Sequence, residues 1–540
     1  MAWRARSHYL TRNPAFLLKT SLIILAAGLG IALSIVAVSH QQNPGVEQKL
    51  IERYVNPGHE LLRDSVQELL NSPEPQPRKL ARWLRRACQL ETAKQASGDN
   101  KPTEPLTLGE QDVATLLAKH APDPSTRALF DDYMMGALRH DPEATAKARQ
   151  RLQKAASEPK PPALANQLLA QLLVQDELPE LALNAFIIEG QSFPDASPAR
   201  SEALHWAVQL KHIPRLKEML ATPGWTTDSA PLLVYHAAEL TGNVWLQWQT
   251  LVHLRLKDMP VAKLGLALFA VGLWYIILVQ VSGTTGRWRW SWPLLPLIAG
   301  VASIWPTLSL VAFQEVQLGL SEDAPFPHNL WYFFGGIGLR EELCKLLLFV
   351  PFLPWLLKKR QAGLALVTGA FVGLGFALEE NINYYDASGG SVVLGRFITA
   401  NFLHLALTGI AAHGLYVTVR SGFTRVADFT GAFIGVVAAH GLYDLVIILD
   451  RSEQLGIGFL SIVVLYFIAR QFFGLVDQET PPSRTAISPL AVFFIGSAIL
   501  VAALFVTAAT VAGTTEAIAE VGQGCLGILP VGFLFWKHLH

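Results

Sequence analysis

Cysteine is nearly missing from this chain: three occur among 540 residues, Cys88, Cys344 and Cys525. They are too few and too far apart for a disulfide framework or a cysteine-rich zinc motif. Charge of one sign is missing too. Forty-three Lys and Arg stand against 43 Asp and Glu, so no basic excess exists to draw nucleic acid. Charged residues of any sign make up only 16%. They thin out most near the N-terminus and after about Val261. No cofactor-binding motif stands out, and residues 41–260 show no strand-like alternation.

Long apolar runs fill the space left by charge. The apolar share is 51% and the mean hydropathy is +0.31. Runs of this length indicate transmembrane helices. The first, Ser21 to Val38, follows Arg4, Arg6, Arg12 and Lys19. It is longer than a signal-peptide core, so it reads as an uncleaved anchor. Nine more runs follow within 261–540, which makes about ten spans. Basic residues orient them. Arg287, Arg289, Lys358, Lys359, Arg360, Arg420, Arg425 and Lys537 all fall on the side of the N-terminus. Both termini are therefore expected in the cytosol and residues 41–260 outside it. Arg396 and Arg451 are exceptions.

The sequence divides into residues 1–40, a basic terminus with the first anchor; 41–260, an exported domain; and 261–540, a nine-span membrane domain. In the exported part, apolar residues recur at helical spacing, as in Leu164, Leu168, Leu169 and Leu172. Leu178-Pro179-Glu180-Leu181 returns as Ile213-Pro214-Arg215-Leu216, with an imperfect third copy at Val244-Trp245-Leu246-Gln247. Two architectures fit: a stack of helical hairpins of tetratricopeptide (TPR) type, or a generic helical bundle. A stack would present a concave surface to a protein or peptide partner. His205, His212, His236 and His253 have no metal-ligand spacing and read as surface or packing residues. The fold class is thus all-α, a polytopic membrane bundle with an extracytoplasmic helical domain.

Four consecutive apolar runs break the rule against charge in hydrocarbon, where each ionised group costs several kcal/mol. They carry Glu341-Glu342-Leu343-Cys344-Lys345, Phe376-Ala377-Leu378-Glu379-Glu380-Asn381, His404 with Thr408, and His440-Gly441-Leu442-Tyr443-Asp444. With the orientation above, Glu341 lies about 16 Å below the outer end of its span at the helical rise per residue. The other three motifs fall in the same outer half. Glu341 and Lys345 share a helix face, as do His440 and Asp444, and His404 and Thr408. Glu342 is turned about 100° from Glu341 and can serve another partner. Thr408 reads as bonding its own backbone. His413 points away from His404, and Glu379 reads as partly solvated. Gly335, Gly336, Gly338, Gly369, Gly373 and Gly375 precede the acidic motifs and would let helices approach closely. Two imidazoles with one or two carboxylates suit zinc with a position open for water, and an adjacent glutamate can serve as base. The spacing is not His-Glu-x-x-His.

Glu-Glu-x-x-Lys, Phe-x-x-x-Glu-Asn, a membrane His with Thr four residues on, and His-x-x-x-Asp, in that order, resemble the PrsW intramembrane protease family. That family is a branch of the CAAX-endopeptidase and bacteriocin-processing superfamily. The resemblance covers 330–449. It implies hydrolysis of a membrane-tethered protein, such as an anti-sigma factor, in a bacterial inner membrane. The motif positions it carries over are Glu341, Glu342, Lys345, Glu380, Asn381, His404, His440 and Asp444. On this basis Glu380, His404 and His440 are expected to hold zinc or polarise the water. Glu341 or Glu342 would be the base, Lys345 and Asn381 would orient carboxylates, and Asp444 would orient His440. A proton-coupled transporter and a non-proteolytic scaffold are the alternatives. A carrier would show a second copy of the motifs, which the later spans lack, and a scaffold need not keep Glu341, His404 and His440.

Overall fold

The computed structural model describes residues 8–42, 57–97, 110–138, 141–222, 224–257, 261–322, 324–387, 393–453, 459–480 and 487–539. Helix accounts for 84% of it, and no strand occurs among the described residues. The molecule is an all-α polytopic membrane protein. It forms two compact units, residues 1–47 with 255–540, and residues 48–254.

The larger unit begins with α1 (Pro14–Gln42) and continues from α13 (Val261–Val281) to α24 (Thr514–Leu539). Helix α1 docks on α23 (Pro489–Ala512). Leu17 is buried in the main core, and a Cβ at Gly28 would lie 2.7 Å from that of Ala502. The centre of the bundle belongs to α18 (Ala362–Ala387) and α20 (Ala400–Arg420). The apolar windows of these two helices are the most enclosed, at 83% and 72%. Glycine makes this contact: a Cβ at Gly373 would sit 2.2 Å from the carbonyl oxygen of His404, and one at Gly369 2.3 Å from the Cβ of Ala412. On its other side, α18 meets α14 (Leu294–Ala302), where Gly375 and Gly300 face each other's backbones. Only glycine permits such approach. Gly338 likewise abuts the carbonyl of Val437, whereas a Cβ at Gly335 would meet nothing within 4 Å.

Among the described residues, eight helices are long and apolar enough to cross a membrane, where the sequence reading expected about ten spans. The apolar run that carries Glu341, about residues 330–357, is helical without a gap but changes type along its length. A single turn, Asn329–Trp331, runs into a π-helix, Tyr332–Gly338, then α16 (Leu339–Phe349), a 3-10 turn and α17 (Leu353–Lys359). It also holds Arg340, Glu341, Glu342 and Lys345, too many charges for an apolar span. The last expected span lies within α24, whose backbone is helical from Thr514.

The smaller unit runs from α2 (Pro57–Asn71) to α12 (Val244–Lys257). All three repeat copies open helices: α8 (Pro179–Ser192), α10 (Ile213–Ala221) and α12. Proline in the first turn suits this position, since its missing N–H costs nothing there. Inside, the Arg78 guanidinium reaches Glu189 at 2.8 Å, Gln167 at 3.0 Å and Asp195 at 2.8 Å. Glu189 also accepts from the backbone N–H of Leu164 at 2.8 Å. His205, His236 and His253 are exposed and His212 is half-buried.

Candidate functional site

The four motifs converge. Glu341, Glu342 and Lys345 come from α16, and Glu380 and Asn381 from α18. His404 and Thr408 come from α20, and His440 and Asp444 from α21 (Val426–Glu453). All eight residues carried over from the family resemblance join one network of contacts, and Glu342, Lys345, Asn381, His404 and His440 are buried in it.

Lys345 is the hub. Its ammonium donates to Glu342 Oε1 at 2.8 Å and to Glu341 Oε2 at 3.3 Å, and lies 2.9 Å from His404 Nδ1. It also sits 4.0 Å from the centroid of the Phe376 ring, a cation–π contact. An ammonium has no lone pair, so Nδ1 of His404 must accept. The proton of that ring then belongs to Nε2, which donates to Glu380 Oε2 at 2.7 Å.

His440 has the opposite tautomer. Its Nδ1 lies 2.9 Å from Glu342 Oε1, and a carboxylate only accepts. Nε2 then faces Glu341 at 3.6 Å and Asp444 at 3.4 Å. A lone pair directed at two carboxylates is unfavourable unless a proton or a cation lies between them. Glu342, not Asp444, thus holds the Nδ1 side of the His440 ring. Thr408 does not stop at its own helix: its hydroxyl donates to Glu342 Oε2 at 3.0 Å. Glu342 thereby has three donors.

Glu341, His404 and His440 offer ligand atoms that all lie within 4.8 Å of one another. They form the one such metal-competent group of His, Cys, Asp or Glu among the described residues. The sequence expectation placed Glu380 with the two histidines instead. Here Glu380 adjoins His404, and the same Oε2 accepts from Arg396 at 2.7 Å. His413 pairs with Glu479 at 3.4 Å, away from this network.

Two participants escaped the sequence reading. Arg396, on the short helix α19 (Val393–Ile398), binds Glu380 and also donates from Nε to Asn381 Oδ1 at 2.7 Å. Asn401, one turn before His404, accepts from Asn381 Nδ2 at 2.8 Å. The signal for Arg396 was present: it was an arginine on the side where basic residues were otherwise rare.

The network holds four carboxylates, Glu341, Glu342, Glu380 and Asp444, against two permanent cations, Lys345 and Arg396. Its imidazoles are neutral in the tautomers above, so the formal charge is two negative.

Residues 288–470 match the family model described as PrsW family intramembrane metalloprotease. The match extends beyond the motif region at both ends and takes in all four motifs. No curated protein and no solved structure matches the chain. A region similar to an intramembrane protease, set among apolar helices, makes this a membrane protein whose matched part supports peptide hydrolysis.

Proposed function

We propose that this protein hydrolyses a peptide bond of a membrane-tethered protein near the extracytoplasmic face of the membrane. The observation that carries this is the buried group Glu341, His404 and His440, with ligand atoms within 4.8 Å of one another. The donors fit a divalent metal. Two imidazoles and a carboxylate are ordinary zinc ligands, and the two surplus negative charges equal the charge of one such ion. Zinc held by these residues would supply Lewis acidity and lower the pKa of a water molecule.

The chain's own residues prepare and use that site. Glu342, fixed by Lys345, Thr408 and His440, holds the His440 ring with Nε2 toward Glu341. For Nε2 of His404 to serve as a donor atom, its proton goes to Glu380 while Lys345 gives one to Nδ1, so the ring stays neutral. Asp444 has no Lys or Arg ion-pair partner among the described residues, and its side chain is 26% exposed. It therefore takes the proton of the attacking water in place of Glu341 or Glu342, and returns it to the leaving amine. Residues 41–260, outside the cytosol in this topology, recruit the substrate. The proposed location is a bacterial inner membrane with both termini cytosolic, and the proposed substrate is a regulator such as an anti-sigma factor.

Two measurements on purified full-length protein test this: bound zinc, and cleavage of a tethered substrate by Glu341→Ala and His440→Ala. Both variants are expected to lose cleavage by more than the roughly 10–100-fold that removing an outer partner of a metal ligand costs, because each removes a residue that would hold the metal. Undiminished cleavage by both would refute the assignment. Removing residues 41–258 should leave the chemistry and relax the choice of substrate.

A further inference from the structure

Arg396 is, with Arg451, one of the two arginines that stand as exceptions to the positive-inside pattern. Its contacts give the reason. The guanidinium splits its hydrogen bonds between two adjacent residues of α18, with Nη2 to Glu380 Oε2 at 2.7 Å and Nε to Asn381 Oδ1 at 2.7 Å. Its carbon lies 3.8 Å from the centroid of the Tyr384 ring, one turn along the same helix. Each acceptor then bridges to α20. Glu380 reaches His404 Nε2 at 2.7 Å, and Asn381 reaches Asn401 Oδ1 at 2.8 Å. Asn401 and His404 are three residues apart and share a face of α20. One guanidinium therefore anchors two bridges to α20, one ending on the His404 imidazole and the other on Asn401, one turn before it.

We propose that Arg396 is the positioning residue that sets the Glu380–His404 contact, and through it the direction of the His404 ring. This rests on the hydrolytic site proposed above. Arg396 does not touch that group directly. It holds Glu380, and Glu380 holds His404. Partners of metal-binding histidines that act at this remove typically change metal affinity or activity by about 10–100-fold when removed. Lysine cannot replace it, because an ammonium on a flexible stem does not reproduce the fork that spans two acceptors. A structural tie between α19 and α18 would also be lost on mutation, so the test must read something that a tie alone does not move.

The experiment uses full-length protein in detergent or lipid. It compares wild type, Arg396→Met, Arg396→Lys, Glu380→Gln and the Arg396→Met/Glu380→Gln double variant. The readouts are zinc affinity by chelator competition, kcat and KM on a tethered substrate, and Tm as the folding control. Arg396→Met is expected to weaken zinc binding and kcat by about 10–100-fold, with KM little changed. Arg396→Lys should fall between it and wild type, and it carries the test if the Met variant does not fold. In the Glu380→Gln background the Met substitution should cost less than about threefold, because the residue it acts through is already disabled. Wild-type affinity and kcat in both Arg396 variants would overturn the inference. So would an Arg396→Met loss that is undiminished in the Glu380→Gln background. A wild-type protein that neither binds zinc nor cleaves would instead overturn the hydrolytic site, and the inference with it.

Discussion

Each unit of this protein buries a charged network, and the two are built to different rules. In the smaller unit the buried acid Glu189 meets the buried Arg78, one for one. The second acid on that arginine, Asp195, has a side chain 73% exposed and keeps its charge in water. Glu189 also caps the start of a helix through the Leu164 N–H. The buried charges match one for one, although Glu189 Oε2 has no hydrogen-bond partner, and the network acts as a brace. In the membrane unit four acids share two cations, and a lone pair on His440 faces two of the acids. Surplus buried charge serves no bracing purpose. The difference separates a site from a strut without reference to any family.

That contrast breaks most sharply under charge neutralisation. Glu189→Gln should destabilise the smaller unit, by less than the roughly 3–5 kcal/mol of a fully unpaired buried charge, because Arg78 loses its buried partner and keeps only the exposed Asp195. Glu341→Gln removes an acid from a surplus. In metal-free full-length protein it should leave the melting temperature unchanged or raised, while zinc-loaded protein loses cleavage by more than about 10–100-fold. Adding zinc at about 100 times its Kd should stabilise the wild type by about 2.7 kcal/mol, and the variant by much less. A Glu341→Gln variant as unstable as Glu189→Gln would make the membrane network a second brace.

Glycine offers a finer version of the same comparison, inside the membrane unit alone. Gly373 backs directly onto the carbonyl of His404, whereas Gly335 faces open space. Gly373→Ala should force α18 and α20 apart, cost about 1–3 kcal/mol as overpacking does, and lower kcat with it. Gly335→Ala should stay within about 0.5 kcal/mol of wild type. Melting and cleavage of the two variants side by side would check this, and equal effects would deny that close approach at His404 matters to the site.

How much of this was legible in the sequence follows from the range of each signal. The four motifs were visible because a charge in an apolar run is a local, first-order anomaly. That the glycines serve close approach was visible in kind, but which ones do was not, because Gly335 and Gly373 differ only in what another helix brings up to them. The change of helix type over 329–359 was hidden, since hydropathy does not register a π-helix. Thr408 was read as serving its own backbone, but its acceptor Glu342 lies 66 positions away in the chain. Arg396 sits on a six-residue helix, too short to announce itself by periodicity. Which nitrogen of His440 meets which acid is a matter of ring orientation, and spacing alone assigned that ring to Asp444.

The smallest expected effect concerns the exposed arm of the brace. The hydrogen bond from Arg78 holds the Asp195 carboxyl below its usual range, with Coulombic attraction to Arg78 and Arg200 adding to it and partial burial opposing it. A carboxyl lowered by folding contributes stability that is present above its unfolded pKa, about 3.9. That contribution is lost as pH falls through the folded value. The exposure of Asp195 screens the interaction, so the effect belongs to a difference between two proteins. Wild type should melt above Asp195→Asn near pH 6, and the gap should close as the pH drops below about 4. Melting full-length protein across that range, followed by tryptophan fluorescence, checks it. A gap that persists in acid would mean that Asp195 contributes through packing or a neutral hydrogen bond. The brace would then not depend on charge at its exposed arm, and the contrast with the acid-rich membrane site would rest on Glu189 and Arg78 alone.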